Sequence, residues 1–203
     1  VSRFRFEVAQ LNVPRRGTVT LGDPPWRGAP LDICVSDALA RYWILDCPAG
    51  LASVHELDLY AAERFATIFG EDPAGWTLRY DPDPRSRAWL ACALPNAVTD
   101  ELPRRATARG WRVRHIQPDF VRAYNQHRRR IARTAAFCLA AVECTTIGVI
   151  VAGCWRNVRV HPPLDRSGAD FATLLRRDCR QAGLTGACPP PLIVGPLEEA
   201  ARS

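Results

Sequence analysis

The chain has 203 residues, 47% of them hydrophobic and 24% charged, with a formal net charge of +6. That length holds one domain with a real core or two small lobes, and the apolar content excludes disorder. No apolar run reaches the roughly 18 residues of a membrane span, the longest covering 145–154, and no sustained repeat marks a collagen-like or coiled-coil chain.

All 27 basic residues are arginine, methionine is absent, and alanine and proline are abundant. A GC-rich coding sequence produces this skew. The charge therefore reads first as solvated arginine, and a nucleic-acid partner is not expected. Anionic membranes and acidic protein partners stay open. The eight cysteines are Cys34, Cys47, Cys92, Cys138, Cys144, Cys154, Cys179 and Cys188, no two closer than six positions. Several lie inside apolar runs, where they act as small buried hydrophobes. No signal-peptide pattern precedes them, so reduced thiols in a cytoplasmic protein are expected. His55, His115, His127 and His161 form no short ligand pairs with cysteine, which disfavours zinc.

The N-terminal residues alternate, with Phe4, Phe6 and Val8 against Arg3, Arg5 and Glu7, which is the period of a strand. A turn at 14–17, a short strand at 18–21 and a proline-rich loop at 22–30 follow. Strands at 31–36 and 39–45 are expected to pair as a hairpin. Ser53 and Glu56 have capping-box spacing, opening a helix that Gly70 ends. Strands at 76–80 and 87–94 flank turn chemistry at Asp81–Arg85. Asn96 opens a helix to about Arg109, in which Pro103 forces a kink or a division. A strand follows at 111–117, then a helix capped by Asp119. The last third predicts three antiparallel strands, 134–143, 147–153 and 155–161, with turns at Thr145-Thr146 and Gly153-Cys154. A helix over 169–182 and a buried strand at 192–194 complete it.

That order, strand, strand, strand, helix, strand, is the core of ribonuclease-H-like and actin-like folds. It occurs clearly in 134–195 and loosely in 31–117. Three stretches carry a closer resemblance. One runs from Ala91-Cys92-Ala93-Leu94-Pro95 through a helix to Ala108-Arg109-Gly110 and the strand 111–117, ending at Asp119. The second is Val142 to Gly153, where a second phosphate hairpin would stand. The third is Trp155 to Val160 and the helix after it. The chain resembles the actin-like cytoplasmic assembly proteins of type IV pili and type II secretion, PilM and the cytoplasmic part of GspL. The resemblance implies an α/β, reduced actin-like (ribonuclease-H-like) fold with two βββαβ-type lobes and mixed sheets. Residues 1–30 would be an N-terminal strand arm or edge hairpin, 31–133 the first lobe and 134–203 the second.

Actin-like ATPases hold phosphates with two Asp-x-Gly hairpins, whose glycines let main-chain N–H groups approach the anion. Here the second hairpin position reads Glu143-Cys144-Thr145-Thr146, and the first, Leu31 to Ala38, carries Asp32 and Asp37; neither has the glycine. No lysine exists for a P-loop, and the adenine-side glycine pair has a single counterpart, at Gly195-Pro196. No cofactor and no catalytic residue are therefore expected. Asp32, Glu143, Thr145 and Thr146 are the candidates if a nucleotide binds. The expected function is a non-catalytic cytoplasmic scaffold holding a partner subunit of a pilus or secretion system, with any membrane association peripheral and through that partner. The alternatives are an ATP-binding switch of the same fold and a metal-dependent nuclease using Asp32, Asp46, Glu143 and Asp170. Trp26, in the proline-rich loop, and Arg128, Arg129 and Arg130, in the densest positive cluster, are the candidate partner contacts. The cluster also suits a helix C-terminus.

Overall fold

The structure, a computed structural model, describes residues 9–15, 19–50, 53–82, 86–164 and 169–195. The strand expected at Phe4–Val8 lies outside them. In chain order the strands are β1 (Ala9–Val13), β2 (Ala29–Val35), β3 (Arg41–Asp46), β4 (Trp76–Tyr80), β5 (Ala88–Pro95), β6 (Trp111–Pro118), β7 (Ala135–Ala140), β8 (Thr145–Val151), β9 (Cys154–His161) and β10 (Pro191–Val194). The helices are α1 (Val54–Phe69), α2 (Leu102–Ala108), α3 (Asp119–His127) and α4 (Ala169–Gln181).

Three sheets form among the described residues. β1, β2 and β6 pair in parallel, in the order β1-β2-β6. Residues 19–24 are irregular, not a strand. Their carbonyls are met by side chains instead: Trp111 Nε1 donates to Gly22 O at 2.9 Å, and the Arg109 guanidinium donates to Leu21 O. The hairpin expected from 31–36 and 39–45 does not form, because β2 and β3 belong to different sheets. A 3-10 turn at Asp37–Leu39 redirects the chain between them. β3, β4 and β5 make an antiparallel sheet, β3-β5-β4, with α1 on one face. Residues 31–117 thus distribute their strands over two sheets.

The C-terminal sheet, β10-β7-β8-β9, is antiparallel except for the parallel pair β10–β7. This is the expected three strands, helix and strand, with shifted turns. Thr145 and Thr146 are the first two residues of β8, and the first turn lies at 141–144. Threonine is β-branched and suits a strand. The second turn is Ala152-Gly153, with φ of 54° and 86°, the positive pair of a two-residue hairpin turn. It sets Val151 opposite Cys154.

Local signals place the helices. Ser53 Oγ accepts from the Glu56 N–H and Glu56 Oε2 from the Ser53 N–H, closing the capping box. Gly70 ends α1 at φ 66°. Pro103 stands in the first turn of α2, preceded by a wide turn at Ala97–Glu101, which is the division its missing N–H requires.

Period-two alternation puts the β3-β5-β4 sheet and the C-terminal sheet between two apolar layers, while β2 turns one face to the main core. Trp43 and Leu45 of β3 pack under α1 with Ala61 and Phe65. Tyr42 turns to the opposite side, joining Leu31, Ile33, Val35 and Phe120 in the main core. In the C-terminal sheet, Cys138, Ile147 and Val149 meet Leu175 and Cys179 of α4, while Phe137, Leu139 and Val158 face the main core. There Phe120, Phe137, Tyr124 and Trp155 form an aromatic cluster with ring centroids 4.8–5.8 Å apart.

Gly148 on β8 makes that cluster possible. A Cβ there would stand 2.5 Å from Trp155 and 2.7 Å from Phe120. Gly148→Ala should therefore destabilise the chain by about 1–3 kcal/mol, read as a lower urea midpoint at unchanged m-value.

Candidate functional site

The turn between β2 and β3 delivers Asp37 to the place where β2, β3, α3 and β8 meet. Its carboxylate is 1% exposed. It accepts from the Tyr42 hydroxyl, from the Phe120 main-chain N–H at 3.1 Å, and from Thr146 Oγ1 at 3.1 Å. Each donor comes from a different element. Phe120 lies in the first turn of α3, so the cap of that helix is supplied from 83 residues away in sequence. The expected cap, Asp119, makes no capping bond and instead stands 3.6 Å from Arg122 in the first turn.

Burial pushes the Asp37 carboxyl up to about 6, while the three donors pull it down and offset this only in part. Burial likewise raises Tyr42 well above its ordinary range, with the Asp37 charge adding to it. Cys144 and Cys92, in the same region, are pushed up to about 11, chiefly by burial. These are inert thiols rather than nucleophiles. All eight cysteines are free.

Beside Asp37, the β7–β8 turn is closed by the Ala141 N–H donating to Cys144 O at 2.9 Å. Glu143 Oε2 accepts from the Arg15 main-chain N–H at 2.7 Å, tying this turn to the end of β1. A cavity of about 470 Å³ lies here, lined in part by Arg15, Asp37, Arg41, Glu143, Cys144 and His161. Arg41 is engaged already, 2.9 Å from Glu71 and 5.0 Å over the Trp76 ring.

Of the residues the sequence pointed to, Glu143 and Thr146 are brought to Asp37's neighbourhood. Thr146 serves Asp37 directly. Thr145 points the other way along β8; it is buried, and its hydroxyl has no hydrogen-bond partner among the described residues. Asp32 faces a separate cavity of about 280 Å³ with Gln10, Gln117 and Arg122, its carboxylate 4.0 Å from Arg114. Asp46 ends β3 and Asp170 lies in the first turn of α4. Among the described residues no group of three or more His, Cys, Asp or Glu is placed to hold a metal. Gly195 serves close packing: a Cβ there would stand 2.1 Å from Ala140 O. Trp26 is 47% exposed in its loop. Arg128, Arg129 and Arg130 form an exposed 3-10 turn after α3.

A second buried polar pair was not foreseen. His161 Nε2 lies 2.7 Å from Asp178 Oδ2, the two being 6% and 0% exposed at the side chain. It pins β9 to α4. One signal was available: Asp178 falls at helical spacing on the same face as Phe171, Leu174 and Leu175, an unusual place for a carboxylate without a partner.

The Asp37 geometry carries a pH dependence. The group holds its proton more tightly folded than unfolded, where a carboxyl titrates near 3.9. Its stabilising contribution is full below that value and is lost as pH rises through about 6. Urea unfolding of wild type and Asp37→Asn at pH 4.5 and 7.5 reads this. The wild type should gain on the variant by about 2 kcal/mol at the lower pH.

No protein-family model matches the chain, and no curated protein sequence does. Solved structures do. The cytoplasmic domain of EpsL, an inner-membrane component of the type II secretion system of Vibrio cholerae, superposes with a TM-score of 0.57 at 12% identity, covering 83% of this chain and 62% of that one. A Bacteroides thetaiotaomicron protein of actin-like ATPase fold and unknown function gives 0.53 at 10% identity, over 84% and 62% of the respective chains. A chain of the PilM–PilN type IV pilus biogenesis complex gives 0.54 at 15% identity, over 76% and 47%. The chain thus spans less than two thirds of the length of each of these proteins. At such identities the likeness is one of fold, and the fold is actin-like.

Proposed function

We propose that this chain is a non-catalytic assembly component that works in the cytoplasm, where it holds a partner subunit of a pilus or secretion apparatus. The fold is shared with a secretion component and with a pilus biogenesis complex. Within the described residues, no helix is long and apolar enough to cross a membrane.

The observation that carries the non-catalytic part is how the polar groups at the Asp37 junction are used. A phosphate cradle needs free main-chain N–H groups converging on one point. Here the Leu39 and Ala40 N–H groups donate within their own turn, to Ser36 O and Asp37 O. The Phe120 N–H, at the start of α3, holds the Asp37 carboxylate. The Arg15 N–H holds Glu143. A fixed carboxylate thus sits at the helix N-terminus, where an anionic ligand would have to compete with it and be repelled by it.

Two measurements test the reading. Millimolar ATP with magnesium should leave the thermal midpoint of the chain unmoved; a rise of several degrees would favour the nucleotide switch. In a two-hybrid screen against the cytoplasmic segments of pilus and secretion membrane subunits, at least one pairwise interaction should appear. Its absence, together with an ATP shift, would overturn the proposal.

A further inference from the structure

The end of α4 brings two cysteines together. The helix closes with the Gly183 N–H donating to Arg180 O and the Leu184 N–H to Cys179 O, each at 3.0 Å, with Gly183 at φ 84°. This left-handed stop turns the chain back beside the helix. Cys188 then packs against the apolar cluster that holds Leu175, Cys179 and Ile193. Its Sγ lies 3.8 Å from Leu175 O. Leu175 and Cys179 are four positions apart on α4, so they stand one above the other on the same face. Cys188 thus lies against the turn of α4 that carries Cys179, and the two thiols share a hydrogen bond. Pro189, Pro190 and Pro191 follow Cys188 and stiffen its approach to β10.

The two thiols are unequal. Cys179 is 1% exposed, and burial, with the Cys188 thiol beside it, pushes it up to about 12. Cys188 is half-buried and can be reached from solvent. A thiolate is the reacting form in thiol oxidation, and access decides which sulfur is oxidised first. Cys188 is therefore the sulfur an oxidant meets, and Cys179 is the one waiting behind it.

We propose that Cys179 and Cys188 form a modification site, which hydroperoxides convert to a disulfide. In the first step the Cys188 sulfur attacks one peroxide oxygen. An S–O bond forms, the O–O bond breaks, and the other oxygen leaves with the thiol proton as water or an alcohol. Cys188 is oxidised to the sulfenic acid as the peroxide is reduced. In the second step the Cys179 sulfur attacks the Cys188 sulfur. An S–S bond forms, the S–O bond breaks, and the sulfenic hydroxyl leaves with the Cys179 proton as water. The contact between the two thiols favours this step, because the reacting atoms are already side by side. The product ties the last turns of α4 to the segment entering β10, across nine positions of chain. β10 is an outer strand of its sheet, paired with β7 alone, so the tie fixes that border. The site is separate from the Asp37 junction and does not depend on the assembly reading.

Peptide mapping of the purified full chain after brief treatment with hydrogen peroxide tests it. Trypsin cleaves after Arg177 and Arg180, so Asp178-Cys179-Arg180 and the segment bearing Cys188 are separate peptides. Without reductant they should run as one linked species lacking two hydrogen atoms, and dithiothreitol should part them. The oxidised chain should melt about 5 °C higher, and dithiothreitol should reverse the rise. Cys179→Ala should stall Cys188 at the sulfenic acid, which dimedone then labels. Cys188→Ser should leave Cys179 unreacted at the same peroxide dose. No linked peptide from the wild type, oxidation of Cys179 at an equal rate in Cys188→Ser, or linkage of other cysteines at a lower dose would overturn the proposal.

Discussion

A single buried carboxylate organises this molecule. Asp37 takes hydrogen bonds from β3, from the first turn of α3 and from β8, so three elements far apart in sequence share one acceptor. A buried carboxylate without partners would be costly, whereas one with several donors specifies the geometry of every group that reaches it. The position of α3 against the C-terminal sheet, the direction in which β3 leaves β2 and the packing of Tyr42 on Phe120, with ring centroids 5.7 Å apart, all follow from that contact.

The same contact commits polar groups that could otherwise face an anion. Helix N-termini attract anions because their first N–H groups lack intrahelical partners. In α3 one of those N–H groups is committed to a carboxylate of the chain itself. The β7–β8 turn, which lacks glycine, is tied through Glu143 to the end of β1. These polar groups tie elements of the chain to one another.

Much of the fold was legible in the residues. Ser53, Glu56 and Gly70 delimit α1 by chemistry that acts within a few residues. Pro103 divides the α2 region because it lacks an N–H. The apolar runs after residue 134 could only be strands of a buried sheet. What failed did so for a common reason. Thr145 and Thr146 look like turn residues to local chemistry, but Thr146 is wanted inside a strand by Asp37. Residues 31–45 look like a hairpin because two strands follow one another closely, yet whether neighbours in sequence pair depends on which sheet has room for each. Asp119 had the right position for a cap and lost it to a residue 82 positions earlier.

The candidate site divides in the same way. Glu143 and Thr146 were reached through the resemblance, as residues at the position of a second phosphate hairpin. Asp32 was equally plausible as a residue of the expected first hairpin, but one residue of alternation along β2 turns it to the opposite face from Leu31 and Ile33, toward Arg114. The His161–Asp178 pair lay outside any motif. The amino-acid sequence by itself determined the helices with local caps, the apolar layers and the class of fold, because propensity, capping and alternation act over short stretches of chain. The tertiary structure alone decided which strands share a sheet and which carboxylate caps α3. Those depend on contacts between residues far apart in the chain, and no local pattern encodes the partner.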